Sequence, residues 1–342
     1  MKILVVKDCD GQFRCHNTRY LDLDPIIGGL REDGHEVSVT DYDALANRQA
    51  LGEIEGQVIF YSGTRFTEYK LFIEDIIFTL GKRNTLLPRY EILRAHENKV
   101  YQEFFKKELG IESIPTWVFG TWTDLRGALP SLPYPVVIKQ AEGSSSTGVA
   151  LAHSAEQAEG IVRASHDRPS VKAATGDLIK TRLKLSGEAS VEYTNRKRNK
   201  RTSRRVVIQK ALDRHEGDWK VYVFGDLAYA FFRGLKGGDF RSSGSGLQDY
   251  HRMPPQHVLT FARQIYDQMQ MPFASFDIWE HDGQCFMLEF QGLHFGVNGI
   301  TDGVRHHRRQ PDGTWTAVDG TLSVEASYLE GLRFHLGQVR ST

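Results

Sequence analysis

The chain has 342 residues, of which 40% are hydrophobic, and its 43 basic side chains balance its 43 acidic side chains. This length predicts two or three domains and enough chain to bury a core. The even charge balance gives no indication of a polyanionic partner, so only local clusters of charge could argue for one. No apolar run has the length of a signal-peptide core or of a membrane span, and we expect neither.

Three cysteines, Cys9, Cys15 and Cys285, are too few and too uneven in number to form a disulfide framework. Such usage is typical of a reducing compartment, so we expect the protein to be cytoplasmic. The gap of five residues between Cys9 and Cys15 does not match the common spacings of zinc ligands.

Strands and helices alternate at the start of the chain, which indicates a parallel, doubly wound sheet. Pro88 interrupts this alternation, so we expect an N-terminal α/β domain over residues 1–88. The apolar runs predict strands at 2–6, 35–42 and 57–63, and helical periodicity predicts helices before Gly34 and over 68–83.

One polar segment of this domain follows directly after a predicted strand. Ser62, Thr64 and Arg65 come just past the apolar run QVIFY. Open α/β sheets bind ligands at the carboxyl ends of their strands. These three residues are therefore candidate substrate contacts.

A second domain is expected over residues 89–175, and an irregular basic region over 176–205. The second domain combines a predicted helix at 91–109, strands at 114–120 and 135–139, a Gly/Ser turn at 142–148 and a helix at 153–165 that Ser154 caps. Residues 195–205 contain seven basic side chains and no carboxylate, so we expect a solvated, mobile loop. The alternatives are a lid over an anionic substrate and a nucleic-acid contact, and the lack of interleaved aromatic residues disfavours the latter.

The last part of the chain, 206–342, is expected to form a strand-rich domain. At least five strands, a separating helix at 256–270 and a closing helix at 323–336 are predicted. The basic residues 306–309 are expected in a loop ahead of a turn at DGTW.

The stretch FASFDIWEHDGQCFMLEFQG (273–292) predicts a hairpin that turns at Asp282-Gly283. Residues two apart on a strand share a face, so Glu289 and Gln291 point the same way, and Asp277 can join them from the neighbouring strand. Magnesium prefers such oxygen ligands together with phosphate oxygens. The competing interpretation is an exposed strand face with scattered acids, which the apolar residues 286–288 disfavour.

The Gly/Ser turn EGSSSTG offers backbone N–H groups that could close over phosphates. It is not a Walker A loop, because Val149 and Ala150 stand where that motif has Lys and Ser or Thr. No G-x-G-x-x-G follows the first strand, so the N-terminal sheet lacks a dinucleotide fingerprint.

Taken in order, these motifs resemble the ATP-grasp superfamily, which includes D-alanine–D-alanine ligase, glutathione synthetase and the ribosomal-protein glutamate ligases. The resemblance covers roughly residues 84–295 and implies an ATP-grasp fold, α/β and α+β, with a Rossmann-like domain ahead of it. The motifs are HENK (96–99), PVVIK (135–139), the Gly/Ser turn, residues 206–225, residues 231–246, Asp277 and LEFQ (288–291).

The resemblance implies a set of residues that bind ATP. Lys99 and Lys139 resemble the two lysines that hold the phosphates, and Asp218 stands where the family has the acid for the ribose hydroxyls. The loop that folds over the phosphates would comprise Glu142, Ser144, Ser145 and Ser146. The hinge that presents its backbone to adenine would comprise Gln209, Lys210, Ala211 and Leu212.

The resemblance also implies catalytic and metal-binding residues. Arg233 and Arg241 resemble the arginines that meet the transferred phosphoryl group and the acylphosphate. Lys220 stands where the glutamate ligases have Arg, which loses a bidentate phosphate contact. Asp277, Glu289 and Gln291 resemble the ligands of two Mg²⁺ ions, for which Mn²⁺ can substitute. Gln291 departs from the usual Asn and has a longer side chain.

The implied function is that of an ATP-dependent ligase. It would activate a carboxylate as an acylphosphate, join it to an amine or a similar nucleophile, and release ADP and phosphate. Its partners would be small-molecule or peptide carboxylates and amines, not a membrane or nucleic acid, and a homodimer is a family-level expectation. The alternatives are an ATP-grasp kinase that phosphorylates a hydroxyl group, and a non-catalytic nucleotide- or nucleic-acid-binding module.

Overall fold

The structure is a computed structural model that describes residues 1–16, 19–47, 49–64, 66–141, 148–167, 203–212 and 216–339. The chain forms two compact units, and each draws on more than one segment of the sequence. The first comprises Met1–His96, Phe104–Ser113 and Arg214–Thr342, and the second comprises Glu97–Glu103 and Ile114–Asp213. The domain limits expected at residues 88, 175 and 205 stay predictions.

A parallel sheet of four strands opens the first unit. Its strands are β1 (Lys2–Lys7), β4 (Glu36–Asp41), β5 (Val58–Tyr61) and β6 (Thr85–Leu87). Between β1 and β4 in the chain, β2 (Arg14–His16) and β3 (Arg19–Tyr20) form a separate two-stranded ribbon. The helices are α1 (Leu23–Glu32), α2 (Tyr42–Asn47), α3 (Thr67–Gly81) and α4 (Tyr90–Ala95), with a 3₁₀ turn at Gln49–Glu53. The sheet order is β4-β1-β5-β6.

Both faces of this sheet are covered, because its central strands are apolar on both sides. On β1, Ile3 and Val5 belong to a core that includes Tyr328 of the last helix. The alternate residues Leu4 and Val6 belong to a second core, on the side of α3. A two-sided core is the expected arrangement for a parallel sheet, and it confirms the doubly wound prediction for this part of the chain.

The single helix predicted over 91–109 is wrong. Helix α4 ends at Ala95, and a new helix, α5 (Lys99–Glu108), begins after three residues. Glu97 adopts a left-handed backbone with φ of 53°, and the Asn98 side chain accepts a hydrogen bond of 3.2 Å from the N–H of Tyr101. A left-handed residue followed by a capping Asn ends one helix and starts the next.

An antiparallel sheet of seven strands forms the C-terminal part of the first unit. Its strands are β11 (Gly217–Phe224), β12 (Leu227–Gly234), β13 (Gln248–Asp249), β14 (Ala274–His281), β15 (Gln284–Gln291), β16 (Arg305–Arg309) and β17 (Trp315–Asp319). The helices are α8 (Gln256–Met269), α9 (Asn298–Thr301) and α10 (Val324–Val339). The order is β15-β14-β11-β12-β16-β17, and β13 pairs with β12. Asp282 and Gly283 have φ of 50° and 81°, as the predicted hairpin turn requires.

The loop expected at 306–309 is instead strand β16. It pairs with β12 on one side and with β17 on the other. Pairing buries His306 and His307, which are 7% and 2% exposed. Charge along a short segment indicated a loop, but cross-strand partners supplied by the fold outweighed it.

The second unit is built on an antiparallel sheet of four strands. They are β7 (Thr116–Thr121), β8 (Val136–Gln140), β9 (Val149–Ala152) and β10 (Ser203–Lys210), in the order β7-β10-β8-β9. Helices α6 (Trp122–Ala128) and α7 (Ala155–Asp167) and a 3₁₀ turn at Leu129–Ser131 complete the unit. Alternate residues such as Ile138 and Ile208 pack with Leu125 and Val162 of the helices. Ser154 caps α7 as predicted, because its Oγ accepts from the N–H of Gln157 at 3.3 Å.

One parallel sheet of four strands and antiparallel sheets of four and seven strands together confirm the predicted mixture of α/β and α+β structure. Within the described ranges, no helix has the length and apolar character needed to cross a membrane. All three cysteines are free thiols.

Candidate functional site

The register of the C-terminal sheet brings charged side chains from four strands onto one face. Asp218 and Lys220 alternate along β11 and therefore point the same way. Arg233 lies opposite Asp218 on β12, and Asp277 lies opposite Lys220 on β14. The cluster comprises Asp218, Lys220, Arg233, Asp277, Glu289 and Gln291, and we call it the charged face.

The charged face adjoins a purely structural region on the same strand. Farther along β11, Tyr222 and Phe224 occupy the same face and belong to the apolar core with Phe295 and Tyr328. One strand thus changes from polar to apolar along its length. The apolar end packs into the core, and the polar end, which is also buried, carries the charged side chains.

Arg233 is the most constrained member of the charged face. Its Nε lies 2.7 Å from Asp218 Oδ1, and its Nη2 lies 2.8 Å from Asp218 Oδ2. The same Nη2 lies 2.8 Å from Asp277 Oδ2. Burial alone would lower the pKa of Arg233, but the charges of Asp277 and Asp218 raise it above its ordinary value. The guanidinium therefore stays charged and fixed.

Lys220 contacts the other carboxylate oxygen of Asp277. Its Nζ lies 2.7 Å from Asp277 Oδ1 and 3.4 Å from Gln291 Oε1. Burial would raise the pKa of Asp277, but the charges of Arg233 and Lys220 hold it below its ordinary value. Asp277 is thus an ionised, buried carboxylate with a basic partner at each oxygen.

The predicted metal ligands lie together and are of the right chemical type. Glu289 lies directly opposite Asp277 across the hairpin, and Gln291 follows two residues later on the same face. The residues that the structure describes contain no group of three or more His, Cys, Asp or Glu suited to a metal ion. The amide oxygen of Gln291 would therefore have to complete the set, and two carboxylates plus an amide oxygen suit a hard cation such as Mg²⁺.

The predicted phosphate lysines both belong to the second unit. Lys99 begins α5 and is 7% exposed, and its N–H donates to the carbonyl of Ala141 at 2.9 Å. That bond ties the start of the helix to the chain just past β8, the strand that carries Lys139. Lys139 lies opposite Val207 of β10, on the face turned away from the apolar core of the unit.

The predicted adenine hinge has most of its backbone donors already engaged. The N–H groups of Lys210 and Ala211 donate to the carbonyls of Pro115 and Pro135 at 2.9 and 3.0 Å. The Gln209 side chain donates to Glu103 Oε1 and to Thr116 Oγ1, both at 3.2 Å. The N–H of Leu212 donates to no other residue in the described part of the chain.

Arg241, the second arginine predicted to meet the transferred phosphoryl group and the acylphosphate, has a local partner in the structure. Its Nε lies 2.9 Å from Asp239 Oδ1 and its Nη2 lies 2.7 Å from Asp239 Oδ2. The side chains of this pair are 39% and 30% exposed. No contact joins Arg241 to Arg233 among the described residues.

Several predicted residues lie outside the described ranges, namely Arg65 and the loop residues Glu142, Ser144, Ser145 and Ser146. The basic segment 195–202 lies outside them too. Of the other candidates at the N-terminal sheet, Ser62 is fully buried. Its Oγ accepts from the N–H of Arg14 at 3.0 Å and donates to the carbonyl of Gly63 at 2.9 Å. This hydroxyl therefore has a structural role, and Thr64 beside it is 5% exposed.

The sequence analysis missed a buried pair of histidines, His96 and His294. The Nε2 atoms of His96 and His294 lie 3.1 Å apart, and the two residues are 5% and 3% exposed. Burial lowers the pKa of His294 to about 3 and that of His96 well below its ordinary value. His96 belongs to the motif HENK and His294 comes three residues after LEFQ, and that proximity was the only available signal.

Comparison with known proteins gives structural likeness alone. No protein-family model matches the chain, and no curated protein matches it by sequence. A RimK domain ATP-grasp protein from Sphaerobacter thermophilus aligns with a TM-score of 0.54 at 14% identity, over 98% of this chain and 99% of that one. The D-cycloserine synthetase DcsG aligns with a TM-score of 0.54 at 14% identity, over 96% of this chain and 98% of that one.

A third solved structure, the ADP complex of the N5-carboxyaminoimidazole ribonucleotide synthetase purK, aligns with a TM-score of 0.51 at 13% identity. That likeness covers 89% of this chain and 73% of that one. Identities this low establish a shared architecture and leave substrates open. Since the likeness spans nearly the whole chain, this protein has the ATP-grasp fold, as the order of its motifs predicted.

Proposed function

We propose that this protein is an ATP-dependent ligase that activates a carboxylate as an acylphosphate and joins it to an amine or a similar nucleophile. ADP and phosphate are the other products. The proposal is supported by the ATP-grasp fold and by the motif residues that the fold carries. Its substrates are small-molecule or peptide carboxylates and amines.

The observation that carries the proposal is the charged face. Five ionisable side chains and one amide lie on a single face of one sheet, beside core residues such as Tyr222 and Phe224 of the same strand. Buried ion pairs contribute little net stability compared with apolar packing, so their clustering at one place points to chemistry. Phosphoryl transfer needs fixed positive charge and seats for a divalent cation, and the charged face offers both.

Arg233 is proposed as the catalytic arginine. Two carboxylates hold its Nε and Nη2, and Nη1 donates to no other described residue. The guanidinium can therefore donate from Nη1 to the phosphoryl oxygens without having to reorganise. Fixed donors aimed at developing charge stabilise a transition state more than mobile ones do. Asp218 positions Arg233 in this account, in addition to its predicted contact with ribose.

Residues of the second unit are proposed to bind the nucleotide. Lys99 and Lys139 contact the phosphates, and the N–H of Leu212 donates to adenine. The loop 142–148, most of which lies outside the described residues, stays the predicted segment for covering the phosphates and keeping water from the acylphosphate. Asp277, Glu289 and Gln291 would hold Mg²⁺, which when bound neutralises phosphate charge and orients the γ-phosphoryl group.

The reaction then has two steps. An oxygen of the substrate carboxylate attacks the γ-phosphorus of ATP, and the bond to the β,γ-bridging oxygen breaks to release ADP. The amine next attacks the acyl carbon, phosphate leaves, and the amine loses its extra proton to solvent or to a base. Arg241 forms a half-buried ion pair with Asp239 and stays a predicted contact for the acylphosphate.

The test is ADP release measured with panels of carboxylates and amines. A ligase releases ADP only when both substrates are present and yields an amide. A stable phosphorylated alcohol would instead identify a kinase, and ATP binding without turnover on any acceptor would identify a nucleotide sensor.

Glu289→Ala provides the matching mutational test. We expect it to abolish Mg²⁺-dependent ATP turnover while the circular dichroism spectrum stays that of the wild type, because Glu289 supplies one of two metal carboxylates. Glu36→Ala is the control and should retain turnover, because Glu36 lies on β4, the edge strand of the N-terminal parallel sheet. Undiminished turnover in Glu289→Ala would refute the metal assignment.

A further inference from the structure

The ammonium group of Lys220 lies where a divalent cation would bind. Its Nζ contacts Asp277 Oδ1 at 2.7 Å and Gln291 Oε1 at 3.4 Å. These oxygens belong to two of the three proposed metal ligands. Mg²⁺ binds oxygen at about 2.0–2.1 Å. A cation that bound both oxygens would therefore overlap the volume that Nζ occupies.

The two basic side chains of the charged face are held by different numbers of contacts. Arg233 donates two hydrogen bonds of 2.7 and 2.8 Å to Asp218, and Asp277 adds a third contact. Lys220 is equally buried, but its ammonium makes one short contact, with Asp277 Oδ1 at 2.7 Å, and one longer contact, with Gln291 Oε1 at 3.4 Å. Because a lysine side chain is also flexible along its four carbons, Lys220 has less to break than Arg233 if it moves.

Asp277 shows why a positive charge is needed here. Its side chain is buried, and its two oxygens contact Lys220 and Arg233. Leaving a buried carboxylate oxygen without a partner is costly. Lys220 thus supplies positive charge at Asp277 Oδ1, where the metal would.

We infer that Lys220 is a built-in counter-ion of the metal site, which holds Asp277 and Gln291 when no divalent cation is present and moves off them when one binds. The inference rests on the proposed function. Once displaced, the ammonium remains tethered to β11 beside the site, where phosphate oxygens of the nucleotide provide its new partner. Free cations then bind weakly, and a cation that arrives with a nucleotide binds well.

The test is Mn²⁺ binding to the full chain, followed by electron paramagnetic resonance, with and without ADP. Lys220→Met keeps most of the side-chain length and removes the charge. We expect it to bind Mn²⁺ alone about tenfold more tightly than wild type, because the competing cation is gone. We also expect Mn²⁺ with ADP to bind more weakly to this variant, because a phosphate contact is lost.

Lys220→Arg provides a second variant that preserves the charge at the site. Its planar fork can hold Asp277 with two hydrogen bonds, so Mn²⁺ alone should bind about threefold more weakly than to wild type. Lys2→Met is the matched control, because it removes the same charge from an exposed side chain on β1 of the N-terminal parallel sheet. It should leave both affinities unchanged.

Opposite shifts for Lys220→Met and Lys220→Arg support the inference, because a merely structural lysine would not move metal affinity in two directions. If wild type binds Mn²⁺ with ADP but Lys220→Met binds Mn²⁺ alone no more tightly than wild type, the counter-ion role is overturned and the metal site stands. Should Lys220→Met fail to fold, an unchanged or tighter affinity in Lys220→Arg overturns the role. If wild type binds no Mn²⁺ even with ADP, the proposed metal site falls, and the inference falls with it.

Discussion

Arg233 and Arg241 show that two arginines in one segment can have unrelated structural roles. Both were predicted beside the transferred phosphoryl group. Arg233 is 8% exposed and contacts two buried carboxylates, whereas Arg241 pairs with Asp239, a half-buried neighbour two residues away. Burial decides how much each ion pair contributes to stability, because water screens the charges of Arg241 and Asp239 more than those around Arg233.

At the scale of single residues, Arg233→Met should therefore destabilise the protein far more than Arg241→Met. The first leaves Asp218 and Asp277 buried beside too little positive charge, which costs about 3–5 kcal/mol of unfolding free energy. The second breaks only a solvent-screened contact and should cause no measurable change. Urea unfolding followed by circular dichroism measures both, and equal losses would contradict the burial argument.

At the scale of elements, the hairpin is fixed in place by the segment that follows it. Gly63, which comes just after β5, gives room to that segment: a Cβ there would lie 2.6 Å from Leu293 Cδ2 and 2.7 Å from His294 Nδ1. His294 in turn contacts His96 at the end of α4. The N-terminal sheet therefore helps to position the end of β15, where Gln291 lies.

Gly63→Ala should accordingly destabilise the protein by about 1–3 kcal/mol, because the added methyl group overpacks this contact. Gly28→Ala is the matched control. Gly28 lies in α1, where an added Cβ would meet only open space, and Ala favours a helix by up to about 1 kcal/mol. Thermal unfolding should show a lower midpoint for the first variant and an equal or higher one for the second. A neutral Gly63→Ala would show that Leu293 and His294 can move away freely.

At the scale of the whole molecule, the buried histidines predict sensitivity to acid. The folded-state pKa of His294 is about 3, below the ordinary value of 6.5, and that of His96 is lowered as well. The unfolded chain therefore binds protons first as the pH falls, so stability is full above pH 6.5 and declines below it. His294 alone should cost about 2 kcal/mol between pH 6.5 and pH 5.

The measurement is unfolding free energy from urea titrations at several pH values between 7 and 5. His294→Gln should flatten the slope in this window, although it lowers stability overall. His251→Gln is the control, since His251 is exposed and its loss should leave the slope unchanged. A wild-type stability that stays constant down to pH 5 would contradict neutral burial of the pair.

The features that the sequence predicted correctly are those that depend on neighbouring residues along the chain. Apolar periodicity located most of the longer strands and helices, although it missed short elements such as Thr85–Leu87 and Trp122–Ala128. The Asp-Gly pair located the hairpin turn, and the order of the motifs predicted the fold. Spacing along β15 and the hairpin also placed Glu289 and Gln291 on one face with Asp277 opposite. Local periodicity and turn chemistry carry this information because they act over only a few residues.

The tertiary structure alone decided which distant groups became partners. Arg233 is held by Asp218 and Asp277, Lys220 rests on the proposed metal ligands, and His96 meets His294 across 198 residues of sequence. It also made a strand of 305–309 and split the helix expected at 91–109. Such pairings depend on the register between strands far apart in the chain, which is set by the packing of the whole core and not by any local pattern.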